Sequence, residues 1–444
     1  MKRRRINNHL IMAAVFAFAG VATAAELTDT EQLGKSIFFD DNLSINSNQS
    51  CAVCHAPEVG WTGPISDINV SGSVYEGSIS GRFGNRKPPS SAYATPAPIL
   101  HFVVEKKKDP PLFVGGNFWD GRATGEKLGN PAADQAQGPF LNPLEQALPD
   151  NACVVYRVCT TAYPVTFETV YPGACSIASW PADVAVACAT EGGQVSLSEE
   201  DRGKVAMAYD QIALAIAAFE ASPESNAFTS KYDAYLAGEY RLTKLEKNGL
   251  NLFKGKGKCA ACHVLDEGPN GEPPLLTDFT FDNLGTPRNP ANPFYTQIGF
   301  NPDGYAWIDL GLGSFLASRE DYEDYAADNY GKQKVPTLRN VDLRPSPEFV
   351  KAYSHNGYFK TLKQIVHFYN TRDAKPVCED DPATPVDESI FTPVEQAIAN
   401  GCWPEAEVLE NVNTSELGDL HLTDAQEDAI VAFMETLSDG YLVD

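Results

Sequence analysis

The feature that most constrains this chain is the pentapeptide Cys-x-x-Cys-His, which occurs twice. The copies contribute the residues Cys51, Cys54 and His55, and Cys259, Cys262 and His263. Two thiols at this spacing can add to the two vinyl groups of a haem, and the histidine can then ligate the iron from one face. A zinc site and a thioredoxin-type redox pair are the alternatives. Because both copies carry the histidine and neither lies in a βαβ pattern, the sequence predicts two covalently bound c-type haems.

The first 24 residues have the organisation of a secretory signal. Four basic residues at positions 2–5 precede an apolar run over 11–21, and Ala22-Thr23-Ala24 forms an A-x-A cleavage site. The apolar run is shorter than the ~20 residues of a membrane-spanning helix, so an uncleaved anchor is the weaker alternative, and we find no later candidate span. We therefore expect an exported protein, either periplasmic or at the cell surface, that begins near Ala25.

The chain is strongly acidic, with 34 basic and 59 acidic residues and a formal net charge of −25. Removal of residues 1–24, which hold four basic and no acidic residues, changes this charge to −29. Such a charge argues against nucleic acid and anionic membranes, and it suggests basic or neutral partners. Solubility alone is the competing explanation of the acidic composition.

Six cysteines lie outside the two motifs: Cys153, Cys159, Cys175, Cys188, Cys378 and Cys402. An even number of remaining cysteines in an exported protein predicts three disulfides, although sequence alone leaves the connectivity open. We favour Cys378–Cys402, because both lie in one late insertion, and expect the other four to pair among themselves.

A repeated segment precedes each motif. Residues 27–38 and 242–253 share Leu-Thr, a Glu, a Gly and two apolar residues at identical offsets. Threonine followed three residues later by glutamate is a capping box, so each copy predicts a capped amphipathic helix that leads into a haem loop. A third capping box at Thr423 and Gln426 begins a further helix, and apolar residues at helical spacing predict another over 199–220.

These patterns predict an all-α chain with two cytochrome c-like haem domains, long loops and disulfide-stapled insertions. The expected divisions are a signal peptide at 1–24, an N-terminal domain at 25–238 and a C-terminal domain at 239–444. The segments between the helices are rich in Pro, Gly and Asn, and bound haem is what we expect to order such long loops.

Several longer motifs resemble those of the bacterial di-haem cytochrome c peroxidase and MauG family. They are LGKSIFFD at 33–40, FWDGR at 118–122, QAQGP at 135–139, NPLE at 142–145, VPTLRN at 335–340 and HNG at 355–357. The resemblance covers most of the mature chain and implies an all-α pair of cytochrome domains. It also implies that the N-terminal haem is peroxidatic and that the C-terminal haem exchanges electrons.

The resemblance implies roles for individual residues. His55 and His263 are the proximal ligands, and Glu145 is the distal carboxylate of the peroxide site, with Gln135 and Pro139 lining it. Heterolysis of a peroxide needs a base that takes one proton and delivers it to the leaving oxygen, which a carboxylate can do. The competing interpretation of Glu145 is a solvated loop residue.

By the same resemblance, Trp119 is the tryptophan between the two haems. An indole placed there offers a route for an electron or a hole. A core aromatic residue is the alternative, and burial and electron relay are compatible roles.

Two departures from the family pattern bear on the irons and on calcium. Peroxidases that require reductive activation have a histidine in the loop after the first motif, whereas residues 56–100 contain none, and we interpret His101 as structural. The N-terminal iron is therefore expected to keep an open face. Lys87 stands where much of the family has an asparagine that helps to bind calcium; a charged lysine cannot ligate Ca²⁺, which counts against a calcium site.

The ligand on the second face of the C-terminal haem iron distinguishes the two enzymatic functions that the resemblance implies. Peroxidases of this family place a methionine about fourteen residues after the His-x-Gly motif, and the same offset from His355 reaches Tyr369. The mature chain has only Met207 and Met434, both on other predicted helices. We expect Tyr369 to be the ligand, with His355, His367 or no ligand as alternatives. A phenolate stabilises ferric and higher states, as in MauG.

The leading function is an enzyme that reacts with hydrogen peroxide at the N-terminal haem and exchanges electrons through the C-terminal haem. We favour MauG-like oxidation of a partner protein. The alternatives are a cytochrome c peroxidase that reduces hydrogen peroxide to water with a small redox donor, and a non-enzymatic di-haem electron-transfer cytochrome.

Overall fold

The computed structural model of the protein describes residues 26–104, 112–161, 163–176, 179–268, 271–379 and 392–442. The signal peptide expected at residues 1–24 lies outside this part of the chain. The described chain is predominantly α-helical, as the sequence predicts, and two short antiparallel sheets are added to the helices.

The helices of the N-terminal half are α1 Asp29–Phe38, α2 Ser66–Val70, α3 Pro131–Leu141, α4 Asn151–Thr160, α5 Pro164–Val170, α6 Val184–Cys188, α7 Glu199–Ala221 and α8 Lys231–Leu236. Between α2 and α3, strand β1 (His101–Val103) pairs with β2 (Leu112–Val114). The helix predicted over 199–220 is therefore confirmed as α7, which is one residue longer.

The helices of the C-terminal half are α9 Lys244–Lys254, α10 Leu312–Ala317, α11 Leu362–Thr371, α12 Val394–Asn400 and α13 Asp424–Met434. Strands β3 (Phe281–Asp282) and β4 (Gln333–Lys334) pair with each other. The three capping boxes predicted from sequence are formed at Thr28, Thr243 and Thr423.

The repeated segment of the sequence forms a repeated helix crossing. Helix α1 crosses α7 at Gly34, where an added Cβ would lie 1.9 Å from the carbonyl oxygen of Ala215. Helix α9 crosses α13 at Gly249, where an added Cβ would lie 1.8 Å from the carbonyl oxygen of Ala429. Each shared glycine therefore lets the helix before a motif touch the backbone of a second helix.

Two apolar clusters form most of the core. The first is built mainly on α1, α3, α4 and α7, and it also takes in Leu275 and Phe279 from the second half of the chain. The second is built on α9, α11 and α13 and includes Tyr232 of α8, whose ring meets that of Phe433 edge-on at 5.2 Å. Each cluster thus includes residues from across the expected domain boundary at 238/239.

The three disulfides join Cys153 to Cys188, Cys159 to Cys175, and Cys378 to Cys402. The predicted Cys378–Cys402 pair is confirmed, and the other four cysteines pair among themselves as expected. Both N-terminal disulfides start from α4, so they tie Cys175 and Cys188 to that helix.

A buried arginine joins the two halves. The guanidinium of Arg86 contacts Asp120 at 2.6 Å and Asp309 at 2.6 Å, and all three side chains are nearly inaccessible to solvent. Because Asp120 belongs to the N-terminal half and Asp309 to the C-terminal half, this charge pairing fixes one half against the other. The charge of Arg86 lowers the pKa of both carboxyl groups despite their burial.

Candidate functional site

The two Cys-x-x-Cys-His motifs adopt the same turn. A short 3-10 helix begins at each first cysteine, and the histidine N–H donates to that cysteine's carbonyl, at 3.0 Å for His55 and 2.9 Å for His263. The four motif cysteines are the only cysteines of the described chain outside disulfides: Cys51, Cys54, Cys259 and Cys262. Both thiol pairs are therefore free to form thioether bonds.

The imidazoles of both motifs are oriented by backbone carbonyls. Nδ1 of His55 lies 3.3 Å from the carbonyl oxygen of Trp61, and Nδ1 of His263 lies 2.9 Å from that of Leu276. A carbonyl only accepts hydrogen bonds, so each Nδ1 carries the proton and leaves Nε2 available as a metal ligand. Burial lowers the pKa of His55 to about 4, which keeps that ring neutral.

A cavity opens beside each motif, of about 210 Å³ beside the first and about 200 Å³ beside the second. Each cavity is lined by both cysteines and the histidine of its own motif. Unbonded thiol pairs, an oriented neutral imidazole and an adjoining cavity form the donor set of a c-type haem. The residues at both sites fit that group.

The N-terminal cavity brings together the residues predicted for the peroxide site. Gln135 and Pro139 reach it from α3, and Glu145 reaches it from the turn that follows. Asn142 donates a hydrogen bond to Oε1 of Glu145 at 2.8 Å. Burial raises the pKa of Glu145, and the charge of Arg122 opposes that rise. Glu145 is thus a half-buried carboxyl group near a cation, and its raised pKa favours a role in proton transfer.

The same cavity has one histidine among the described residues, which is His55. His101 lies exposed on β1, where its Nδ1 meets the carbonyl of Ile99 at 2.8 Å, and it does not line the cavity. His101 is therefore separate from the N-terminal cavity, and its structural role stays a prediction.

Two cavity residues were not identified from the sequence. Arg122 lines the N-terminal cavity with its guanidinium 3.8 Å from the ring centre of Phe118, and it also pairs with Asp120 at 2.7 Å. Glu220 lines it from the end of α7, and burial raises its pKa to about 8. Glu220 follows Ile216 by four residues, so it lies on the apolar face of α7. A carboxyl group on that face is the feature of the sequence that could have indicated a buried site residue.

Trp119 lies in the wall between the two cavities and lines both of them. Its side chain is 8% exposed, and its Nε1 donates to the carbonyl oxygen of Lys87 at 2.8 Å. The backbone N–H of Lys334 donates to the carbonyl oxygen of Trp119 at 2.7 Å. The ring centres of Trp119 and His355 are 6.4 Å apart. Trp119 is thus held between the two candidate haem sites.

Lys87 is a buried cation in this wall. Its ammonium group donates to Oγ1 of Thr62 at 3.0 Å and to the carbonyl oxygen of Pro88 at 2.9 Å. Burial lowers the pKa of Lys87 to about 8. The ammonium group therefore takes oxygen acceptors in the region where the family resemblance implies a calcium ligand.

The C-terminal cavity contains Tyr369, His355 and Met434 in addition to the second motif. Burial raises the pKa of Tyr369, and the neighbouring thiols of Cys259 and Cys262, which line the same cavity, add to that rise. Within the described chain, that hydroxyl has no hydrogen-bond partner. Tyr369 comes from α11 and Met434 from the end of α13.

The two histidines considered as alternative ligands differ in their surroundings. Nε2 of His355 is buried without a hydrogen bond and lies 3.9 Å from Asp309 and 3.7 Å from Glu407. His367 does not line the cavity, and its ring nitrogens contact Glu427 at 2.9 Å and Lys375 at 2.8 Å. His367 is therefore already engaged on both sides of its ring.

The part of the chain that the structure describes contains no helix long and apolar enough to cross a membrane.

Comparisons with known proteins agree with this site. Residues 28–241 match a family described as di-haem cytochrome c peroxidase. The chain is 32% identical over 433 residues to the methylamine utilization protein MauG of Paracoccus denitrificans, covering 96% of this chain and 94% of that protein. It is 27% identical to the cytochrome c551 peroxidase of Nitrosomonas europaea, covering 80% of each.

A solved structure agrees with the sequence matches. The crystal structure of the diheme peroxidase BthA from Burkholderia thailandensis superposes with a TM-score of 0.68 at 28% identity, covering 94% of this chain and 88% of that one. Repeated haem-attachment motifs, two adjoining cavities and similarity along nearly the whole chain lead to one conclusion. This chain belongs to the di-haem cytochrome c peroxidase and MauG family of haem oxidoreductases.

Proposed function

We propose that the protein is an exported enzyme that reacts with hydrogen peroxide in the N-terminal cavity and passes the oxidising equivalents through the C-terminal cavity to a partner protein. The observation that carries this proposal is the set of residues that line the N-terminal cavity, which within the described chain pairs a single histidine with a carboxyl group. His55 lines it as its one histidine among the described residues, and Glu145, Gln135 and Pro139 also line it. We infer that Glu145 would be the proton-transferring group of a haem held at this motif.

A haem held by Cys51, Cys54 and His55 would supply the iron at which the O–O bond of peroxide is broken. Glu145 would take a proton from one peroxide oxygen and return it to the leaving oxygen. Gln135 would orient the bound peroxide from α3. Reduction of one peroxide to two waters consumes two protons and two electrons, and two one-electron oxidations of the partner supply the electrons.

Trp119 would carry charge between the two sites, because it lines both cavities and its Nε1–H hydrogen bond to Lys87 holds the indole in their common wall. Tyr369 supports the version in which a partner protein is oxidised. If Tyr369 helps to hold the second haem, its phenolate would favour the oxidised states of that iron, whereas a methionine would favour ferrous iron. The long match to a methylamine utilization protein MauG points the same way.

A cytochrome c peroxidase that draws electrons from a small redox protein is the second candidate. Met434 favours it, because this methionine lines the C-terminal cavity and offers a thioether there. A non-enzymatic electron-transfer cytochrome would need two irons with both faces ligated, and the N-terminal cavity offers no second histidine within the described chain.

The test is a stopped-flow titration of the resting ferric holoprotein with stoichiometric hydrogen peroxide, with electron paramagnetic resonance of the resting state. We expect one high-spin and one low-spin haem and a rapid reaction that consumes one peroxide per chain. Two low-spin haems that react slowly would identify an electron-transfer cytochrome. A haemochrome assay that finds fewer than two haems per chain would contradict the architecture.

A further inference from the structure

The segment over residues 241–258, which contains α9 and leads into the second motif, has an unusual charge. It has six basic residues and one acidic residue, in a chain whose formal net charge is −25. We call it the lysine-rich segment; its basic residues are Arg241, Lys244, Lys247, Lys254, Lys256 and Lys258.

All six basic side chains are exposed. Lys244, Lys247 and Lys254 are spaced by three and seven residues along α9, so they project from one side of the helix. In the described chain, none of the six has a carboxylate within ion-pair distance. The ammonium groups of Lys256 and Lys258 donate instead to the backbone carbonyls of His421 and Ser415.

The acidic groups near this segment have other partners. Glu246 contacts Lys231 at 2.6 Å. In the adjoining loop, Glu416 accepts a hydrogen bond from Asn413 at 2.8 Å, and Asp419 lies 3.0 Å from His421. The positive charge of the lysine-rich segment is therefore not cancelled by direct pairing.

The first copy of the repeat shows that the fold does not require this charge. Residues 26–43, which align with 241–258 at a constant offset, have five acidic residues and one basic residue. The basic residue, Lys35, pairs with Glu224 at 2.5 Å. Two copies of the same helix thus form the same crossing with opposite charge, so the crossing does not require the lysines.

The lysine-rich segment lies where the second motif meets the solvent. It ends at Lys258, next to Cys259, and Ala261 within that motif is exposed. By contrast, no residue of the first motif, 51–55, is exposed. Leu245 of α9 is 52% exposed among the lysines and offers an apolar contact to a docked protein.

We propose that the lysine-rich segment is the docking surface for a protein partner with an acidic surface, at which that partner exchanges electrons with the C-terminal haem. This inference rests on the proposed function, in which the C-terminal site serves a protein. It revises the expectation of a basic or neutral partner that follows from the net charge. At physiological salt the Debye length is about 8 Å, whereas a protein of this size spans several tens of ångströms. A partner at this surface therefore responds to the local charge.

The test uses two small redox proteins as probes, an acidic type I copper protein and a basic cytochrome c. Binding of each oxidised probe to the resting holoprotein is measured by calorimetry at several salt concentrations. The oxidation rate of each reduced probe is then measured after one equivalent of peroxide. The variant is K244E/K247E/K254E, which leaves the haem loop untouched.

The matched control is K35E/K127E/K204E. These three lysines lie in the N-terminal half, each pairs with a carboxylate, and the variant changes the net charge by the same amount. We expect the acidic probe to bind the parent, to lose affinity as salt rises, and to bind K244E/K247E/K254E roughly tenfold or more weakly. The control should bind it with close to parental affinity.

Several results would overturn the proposal. The basic probe could bind the parent more strongly than the acidic probe does. The affinity for the acidic probe could fall equally in the variant and the control, or it could be independent of salt concentration. Binding of the parent to anionic vesicles, lost in the variant, with no affinity for the acidic probe, would assign the segment to a membrane surface instead.

If K244E/K247E/K254E does not fold, as judged by its haem spectrum, the neutral variant K244Q/K247Q/K254Q is used in its place. Calorimetry on the resting protein does not depend on peroxide chemistry. A holoprotein that does not react with peroxide would therefore refute the proposed function, while the binding data would still decide the docking surface. A parent protein that does not bind the acidic probe would refute the docking surface and leave the proposed function standing.

Discussion

The indole of Trp119 donates its N–H to the backbone carbonyl of Lys87 at 2.8 Å, across the wall that separates the two cavities. The backbone N–H of Lys87 donates in turn to the carbonyl oxygen of His355 at 2.8 Å. One short chain of hydrogen bonds thus connects Trp119, which lines both cavities, to a residue that lines the C-terminal cavity. The orientation of the indole depends on this chain.

Replacement of Trp119 by phenylalanine is expected to slow charge transfer between the two haems by more than roughly tenfold, or about 1.4 kcal/mol of barrier. Phenylalanine keeps an apolar ring in the wall but is much harder to oxidise than indole. The measurement is freeze-quench electron paramagnetic resonance after one equivalent of peroxide. Trp307→Phe is the control, because Trp307 packs on Phe294 and lines neither cavity. Parental kinetics in Trp119→Phe would exclude the relay.

Replacement of Glu145 by glutamine should leave both haems attached and slow the reaction with peroxide by about 10²–10⁴. The amide keeps the size of the side chain and its hydrogen bond with Asn142, but it cannot accept and return a proton. Stopped-flow absorbance measures the rate. Glu199→Gln, at the exposed start of α7, is the matched control and should react at the parental rate. Unchanged kinetics in Glu145→Gln would show that another group moves the proton.

Replacement of Tyr369 by phenylalanine tests the far ligand of the C-terminal iron. If the phenol is the ligand, its loss should abolish the phenolate bands in resonance Raman spectra and raise the reduction potential of that haem. Met434→Leu and His355→Gln should then leave those bands in place. Should Met434→Leu instead remove the low-spin signal, the thioether is the ligand, and the peroxidase alternative gains its main support.

The helix crossings make a prediction about stability. Gly34→Ala and Gly249→Ala each place a Cβ within 2 Å of a backbone carbonyl oxygen, so each should lower the free energy of unfolding by about 1–3 kcal/mol or more. Gly203→Ala is the control, because Gly203 lies exposed inside α7 with no atom within 4 Å of an added Cβ. That variant should gain roughly 0.5–1 kcal/mol. Thermal or denaturant unfolding of the holoproteins measures all three.

Removal of calcium by a chelator should leave the activity of this enzyme unchanged. The ammonium group of Lys87 takes Thr62 and Pro88 as oxygen acceptors in the wall between the cavities, so we expect no calcium requirement there. Dialysis against EGTA and subsequent addition of Ca²⁺ should leave the haem spectra and the peroxide reaction unchanged. Loss of activity on chelation, restored by calcium, would show that the ion binds despite the lysine.

Local signals in the sequence predicted much of this structure. Cys51, Cys54 and His55 lie within five consecutive residues, so the motif can be recognised from the sequence alone. The capping boxes at Thr28 and Thr243 are local in the same way. Cys378–Cys402 followed from proximity within one insertion. Such features involve residues close in the chain, where sequence spacing determines spatial arrangement.

Other features depend on contacts between distant segments. The contact of Gly34 with Ala215 explains the repeated glycine, but the sequence does not show which helix it crosses. The contact of Arg122 with Phe118 and Asp120 is local, yet its place in the cavity depends on α3 and α7. Met434 was assigned to a helix correctly, although its access to the C-terminal cavity arises only from the packing of α13 on α9.

The arrangement of the disulfides has a consequence for biogenesis. Cys153–Cys188 and Cys159–Cys175 close between the two haem motifs, Cys378–Cys402 closes after the second, and none connects the two halves. An emerging polypeptide can therefore complete its oxidation within one half without waiting for the other. If the protein is exported as proposed, Cys51 and Cys54 would have to remain reduced while the four disulfide cysteines of the same half are oxidised. Thioether formation at the first motif would then compete with mispairing, so faster haem delivery should improve the yield of correctly assembled protein.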